Sequence, residues 1–194
     1  QSERGALPLE HLARVDYPNN GFGAGVDAAD RQTFYYTPQG AGLKDIRYSW
    51  FVNLEMPFGR TKITDPNVMS RFGFLVDPPT ERNPDRLPVG FTKHFDEGLN
   101  EELLDVTCAT CHTGQINVRK NGQTRALRID GGQANHAFTD ARFGPFLPTL
   151  IFSLVATTPN PVKSHRFAAR VRGHASEGGQ WQPGTAPWPA HRPV

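Results

Sequence analysis

The residues best suited to chemistry stand in one short run, Cys108-Ala109-Thr110-Cys111-His112, and these are the only cysteines in the chain. Positions i, i+3 and i+4 of a helical turn share a face, so two thiols and an imidazole would point the same way. Four chemistries use such a pair of thiols. A disulfide across so small a loop would constrain little. A thioredoxin-like redox pair needs a βαβ setting, which the surrounding sequence lacks. Structural zinc needs four ligands in a tetrahedron, a geometry that adjacent Cys111 and His112 serve awkwardly. Covalent haem c needs this spacing. Each thiol forms a thioether with a haem vinyl group, and the histidine lies under the iron as its proximal ligand. The expectation is one covalent haem c, held by Cys108 and Cys111, with His112 on the metal.

A second axial ligand must come from elsewhere. Met56 and Met69 both precede the motif and no methionine follows it, which shifts the choice toward histidine. His136 is the first candidate. It follows the Gly131-Gly132 turn, precedes a phenylalanine-rich stripe, and has Asp140 four residues on to hold its other nitrogen. His94 and Met69 are alternatives, as are an open iron and the distant His174 and His191. Trp50 suits either core packing or the haem edge. Phe91 closes the island Leu87-Pro-Val-Gly-Phe91, in a stretch read as loops that wrap the cofactor.

The elements that must position these groups are read from local pattern. Asn100 as a cap, Glu101 and Glu102 in a first turn, and apolar Leu103, Leu104 and Val106 suggest a helix leading into the motif. Ile46, Trp50, Phe51 and Leu54 give a helical face that ends at Met56-Pro57. Tyr35 to Gly40 reads as a short extended piece closing in a turn. Residues 1 to about 30 read as loop, and the Gly21-Phe-Gly-Ala-Gly25 run is a poor phosphate loop without a strand before it or a helix after it. Asn121-Gly122 sits between two alternating runs, Gln115–Lys120 and Gln123–Ile129, a strong hairpin signal. An apolar stripe from Phe138 to Leu154, broken by Pro145 and Pro148, suggests a helix from about Pro148 to Thr157.

With 194 residues the chain can bury a core without staples. It has 19 glycines and 17 prolines, so long loops and short elements are expected. The expected fold is mainly α, a loop-rich cytochrome c-like haem domain with one small β-hairpin. The expected layout is a haem domain over 1–172 with an N-terminal loop extension, then a Pro/Gly-rich tail over 173–194. Trp181 and Trp188 in that tail suggest either docking on another subunit or a tail folded back on its own domain. A net charge of +2 provides no basic face for nucleic acid. No apolar run is long enough for a membrane span. Because haem c is attached outside the bacterial cytoplasm, a periplasmic or exported protein is expected.

Several segments in order resemble one group of proteins. They are Tyr36-Thr-Pro-Gln-Gly40, Tyr48-Ser-Trp-Phe-Val-Asn-Leu-Glu55, Leu87-Pro-Val-Gly-Phe91, Cys108-Ala-Thr-Cys-His-Thr-Gly-Gln-Ile116 and Ile129-Asp-Gly-Gly132. This order resembles the first haem segment of the rubber-oxygenase-like dihaem cytochromes, relatives of the bacterial dihaem cytochrome c peroxidases, over roughly Tyr35 to Arg170. The resemblance implies a periplasmic or secreted, largely helical protein. It also implies two covalent haems, one for oxygen or peroxide chemistry and one for electron transfer. This chain carries a single Cys-x-x-Cys-His, which favours a monohaem electron-transfer cytochrome with a redox partner protein. The alternative is the catalytic haem subunit of a peroxidase- or oxygenase-like enzyme whose second haem lies on another chain.

Overall fold

A computed structural model describes residues 2–4, 14–16, 27–40, 46–131 and 146–177. The hairpin predicted at Asn121-Gly122 forms the centre of a sheet. β1 (Ser2–Arg4) and β2 (Arg14–Asp16) flank β5 (Gly114–Lys120) and β6 (Gln123–Ile129) in the order β1-β5-β6-β2. β5 and β6 are antiparallel, whereas β2 runs parallel to β6. Asn121 at φ 52° and Gly122 at φ 78° give the two left-handed residues of a type I′ turn. A second sheet pairs β3 (Phe91–Asp96) with β4 (Glu101–Val106), antiparallel.

The fold is therefore mixed α and β, with two sheets, and not mainly α with one small hairpin. The segment leading into the cysteine motif shows why. Asn100 sits at φ 53° in a turn, whereas a helix N-cap has extended backbone. The residues after it form a strand whose Leu103 and Leu104 point to opposite faces and are both buried. β4 is covered on both sides, and Leu104 N–H also bonds Ile46 O at 2.9 Å along its other edge. Two buried faces remove the alternation that would mark a strand in sequence.

Helices pack around these sheets. α1 (Ala28–Tyr36) replaces the extended piece expected at Tyr35, because Asp27 and Asp30 form a reciprocal capping box at its start. α2 (Tyr48–Asn53) is shorter than its apolar pattern suggested. α3 (Pro66–Arg71) starts at Asp65, whose side chain accepts from Asn67 N–H at 2.9 Å, and lies in a stretch read as loop. α4 (Cys108–His112) carries the motif. α5 (Phe146–Thr157) covers the helix expected from about Pro148 to Thr157 and starts two residues earlier, with Pro148 inside its first turn; the part of the stripe over 138–145 lies outside the described residues. α6 (Pro161–Glu177) runs through the boundary placed at 172/173, so the first residues assigned to the tail are helical. Residues 178–194, His136, and the glycine run 21–25 lie outside the described residues. Among the described residues no helix is long and apolar enough to cross a membrane.

The core is aromatic. Phe51 stacks on Phe91 at 5.9 Å, and Phe74 and Phe146 meet Phe91 edge-on at 4.8 and 5.8 Å. The apolar islands at Phe72–Val76 and Leu87–Phe91 fill this core and the cluster around Val89. The β5–β6 sheet behaves differently. Its fully buried positions are Gln115, Asn117, Ala126 and Arg128, while apolar Ile116, Val118, Leu127 and Ile129 are only half-buried. Arg128 is held by Asp77, by Val76 O, and by Gln115 Oε1 at 3.2 Å, which makes its burial tolerable.

Candidate functional site

α4 has five residues and is fixed at both ends by threonines. Thr107 caps the start, its hydroxyl accepting from Ala109 N–H at 3.2 Å. Thr113 ends it, its N–H donating to Ala109 O at 3.0 Å. Within the turn the residues divide sharply. Ala109 and Thr110 are 1% and 5% exposed, Cys108 and His112 are exposed, and Cys111 is half-buried. The two cysteines and the histidine thus share the outward face, as their spacing predicts, while the two residues between the cysteines form the seat.

The seat is tight. Ala109 packs with Tyr35, Leu75 and Val89. Gly90 lies against Thr110 so closely that a Cβ there would stand 2.2 Å from Thr110 N and Oγ1. Gly90 also sits at φ +87°, and its carbonyl accepts Thr107 N–H at 2.7 Å. The glycine of the Leu87–Phe91 island is therefore what lets the motif helix approach β3.

A second contact comes from the turn after α1. Asp105 is fully buried, and its Oδ2 accepts the backbone N–H groups of Gln39 and Gly40 at 2.9 and 2.8 Å. The Gln39 side chain then reaches the motif, its Oε1 accepting from Cys108 Sγ at 3.1 Å. His94 Nδ1 lies 3.5 Å from the same Asp105 oxygen. Both thiols are free. Burial, and secondarily the neighbouring Cys108, push the Cys111 thiol up from its ordinary value. A raised thiol is the reverse of an activated redox cysteine. The strands on either side of α4 also belong to different sheets, so it is not the helix of a parallel βαβ unit.

Of the residues singled out in sequence, Cys108, Cys111 and His112 come together. Trp50 lies in the seam between α2 and α6, under the Arg47 guanidinium at 5.1 Å and edge-on to Phe167 at 6.4 Å. Phe91 is a core ring, 1% exposed. Met69 is fully buried in the aromatic core, and the His174 ring lies 6.1 Å from Tyr48. Residues that sequence reasoning missed are Gly90, Gln39, Thr107 and Thr113. Their local signals are the threonine on each side of the motif and, for Gln39 and Gly90, their places in the segments Tyr36–Gly40 and Leu87–Phe91.

The residues present fit a covalent haem. The two thiols are not joined in a disulfide and share an accessible face with an imidazole, on a turn whose opposite face is locked into protein. Among the described residues no group of three or more His, Cys, Asp or Glu side chains is arranged to hold a metal ion by itself. No family model, curated protein or solved structure matches the chain.

Proposed function

We propose that this chain is a monohaem c-type cytochrome that transfers electrons, as a periplasmic or exported carrier or as a subunit of a larger redox assembly. The observation that carries the reading is the division of α4, with Cys108, Cys111 and His112 outward and Ala109 and Thr110 buried. When bound, haem supplies a one-electron iron couple. The chain's own residues do the rest. The Cys108 and Cys111 thiols would each hold the group by adding S–H across a vinyl, which would keep the cofactor from dissociating. His112 offers an imidazole nitrogen four residues after Cys108, on the same side of the turn. Gly90, Thr110 and Ala109 hold that turn against the protein, which restrains its movement when the charge at the site changes. The partner is a redox protein that meets the exposed side of α4, and the tail beyond α6 is a second contact with other subunits.

The optical spectrum tests this reading. Protein made with a covalent haem maturation system is recorded oxidised and reduced, with and without carbon monoxide. A low-spin spectrum unaffected by carbon monoxide supports a carrier. A high-spin iron that binds carbon monoxide overturns the carrier reading and supports the catalytic one.

A further inference from the structure

A five-residue helix has barely one turn of internal hydrogen bonds and cannot define its own geometry. The geometry of α4 is imposed from outside, and both of its flanks lead to one residue. At the start, Thr107 Oγ1 donates to Tyr35 O at 3.1 Å. At the end, Thr113 Oγ1 donates to Asp130 Oδ1 at 3.2 Å, and the same oxygen accepts the Tyr35 hydroxyl at 2.7 Å. The other Asp130 oxygen accepts from Arg31 Nε at 3.0 Å, one turn before Tyr35 on α1. Thr107, Thr113, Tyr35 and Asp130 are all buried, at 4%, 2%, 0% and 5% exposure, so these bonds work without competition from water.

The adjacent tyrosine makes a closely parallel set of bonds elsewhere. Tyr36 O accepts Thr92 Oγ1 at 2.9 Å, and the Tyr36 hydroxyl donates to buried Asp77 at 2.9 Å. Asp77 in turn pairs with Arg128 of the β5–β6 hairpin. Both tyrosines thus receive a threonine on the carbonyl and give a hydroxyl to a buried carboxylate. Tyr35 binds the two residues that bracket the motif, whereas Tyr36 ties α1 to β3 and the hairpin.

We infer that Tyr35 is the positioning residue of the attachment turn: through its carbonyl and through Asp130 it fixes where Cys108 begins and where His112 ends. This rests on the reading of α4 as a haem c site. Loss of the hydroxyl removes one of the bonds that fix Asp130 against Thr113, which loosens the His112 end although Arg31 still pairs with Asp130, and leaves the carbonyl contact at Thr107 in place. His112 is then presented less constantly to iron, and the second thioether forms less completely.

The test compares Tyr35→Phe with Tyr36→Phe in the full chain, loaded with haem. Each substitution removes one hydroxyl from one buried carboxylate, and Tyr36→Phe also strips the buried Asn83 amide of the hydroxyl it donates to at 3.0 Å, so the control should lose at least as much stability. Two readouts are taken: the reduction potential, and the share of haem-loaded chains with one free thiol, counted by alkylation and mass. The expected result is a shifted potential and a roughly five- to tenfold larger one-thiol share for Tyr35→Phe, as loss of one buried hydrogen bond implies. Tyr36→Phe should leave both at wild-type values. Thr113→Val should reproduce Tyr35→Phe and Thr113→Ser should restore both readouts; this pair makes the comparison if Tyr35→Phe does not fold. Equal behaviour of the two tyrosine variants, or of the two Thr113 variants, overturns the inference while a haem-loaded wild type leaves the function intact. A wild-type chain that gains no haem overturns both.

Discussion

The aromatic core and the seat of α4 are built on opposite principles. Around Phe91 the contacts are ring against ring, without direction beyond a preferred tilt, and they tie α2, β3 and α5 together. Around α4 the contacts are directional. A glycine is set against Thr110, threonines sit at both ends, and the buried carboxylates Asp105 and Asp130 gather donors. Apolar packing supplies most of the stability and tolerates small adjustments. Directional bonds add little net stability but fix where atoms stand. The proposed haem site, where two thiols and an imidazole would face one rigid ring, needs the second kind.

Substitutions that separate stability from attachment sharpen this contrast. Phe91→Ala should have the largest effect, a stability loss of about 3–5 kcal/mol in denaturant titration, as for other buried aromatics. Haem attachment should fall only in proportion to the unfolded fraction. Gly90→Ala should cost about 2 kcal/mol, through its left-handed backbone and its contact with Thr110. Here attachment, read by intact mass, should fall further than stability does. Equal ratios of the two losses in both variants would break the comparison.

The clamp between α6 and Glu55, two residues after α2, gives a smaller, pH-dependent effect. Glu55 is 2% exposed and accepts from Arg166 Nε and Nη2 at 3.0 and 2.8 Å and from Arg170 Nη1 at 2.9 Å. The Arg166 hydrogen bonds, helped by the one from Arg170, outweigh the opposing effect of burial and hold its carboxyl below the ordinary glutamate value. The stabilisation is therefore complete above about pH 4.3, the unfolded value, and is lost as pH falls through the lowered folded value. Glu55→Gln should cost about 1 kcal/mol at neutral pH, allowing for solvent around the arginines. The difference from wild type should shrink below about pH 4, in thermal melts across pH. The smallest effect is expected at the hairpin tip. Asn121→Ala should cost about 0.5–1 kcal/mol because alanine tolerates the left-handed backbone less well. Haem attachment should not change.

The shared face of α4 was legible because it is written in local spacing. One turn of helix converts Cys108, Cys111 and His112 into a shared face, and the Asn121-Gly122 turn and the α5 stripe are equally local. Other parts were hidden for different reasons. The Asp27–Asp30 box of α1 is present in the sequence but lies beside a glycine-rich run whose composition is that of a loop. Glu101–Val106 has a good helix-start composition, and only pairing with Phe91–Asp96 makes it a strand. β1 and β2 have three residues each, too few for alternation to show. The partners of the site, Tyr35 with Asp130 and Asp105 with Gln39, are 95 and 66 residues apart, a separation that local patterns do not register.

The central claim is that the outward face of α4 binds one haem through both thiols. Intact mass, combined with alkylation of free thiols, measures this directly on protein made with the maturation system. The account predicts a mass increase of one haem that survives acid-acetone extraction and no alkylation at Cys108 or Cys111, with both lost together in Cys108→Ala/Cys111→Ala. A wild-type chain of unmodified mass, with both cysteines alkylated, would contradict it.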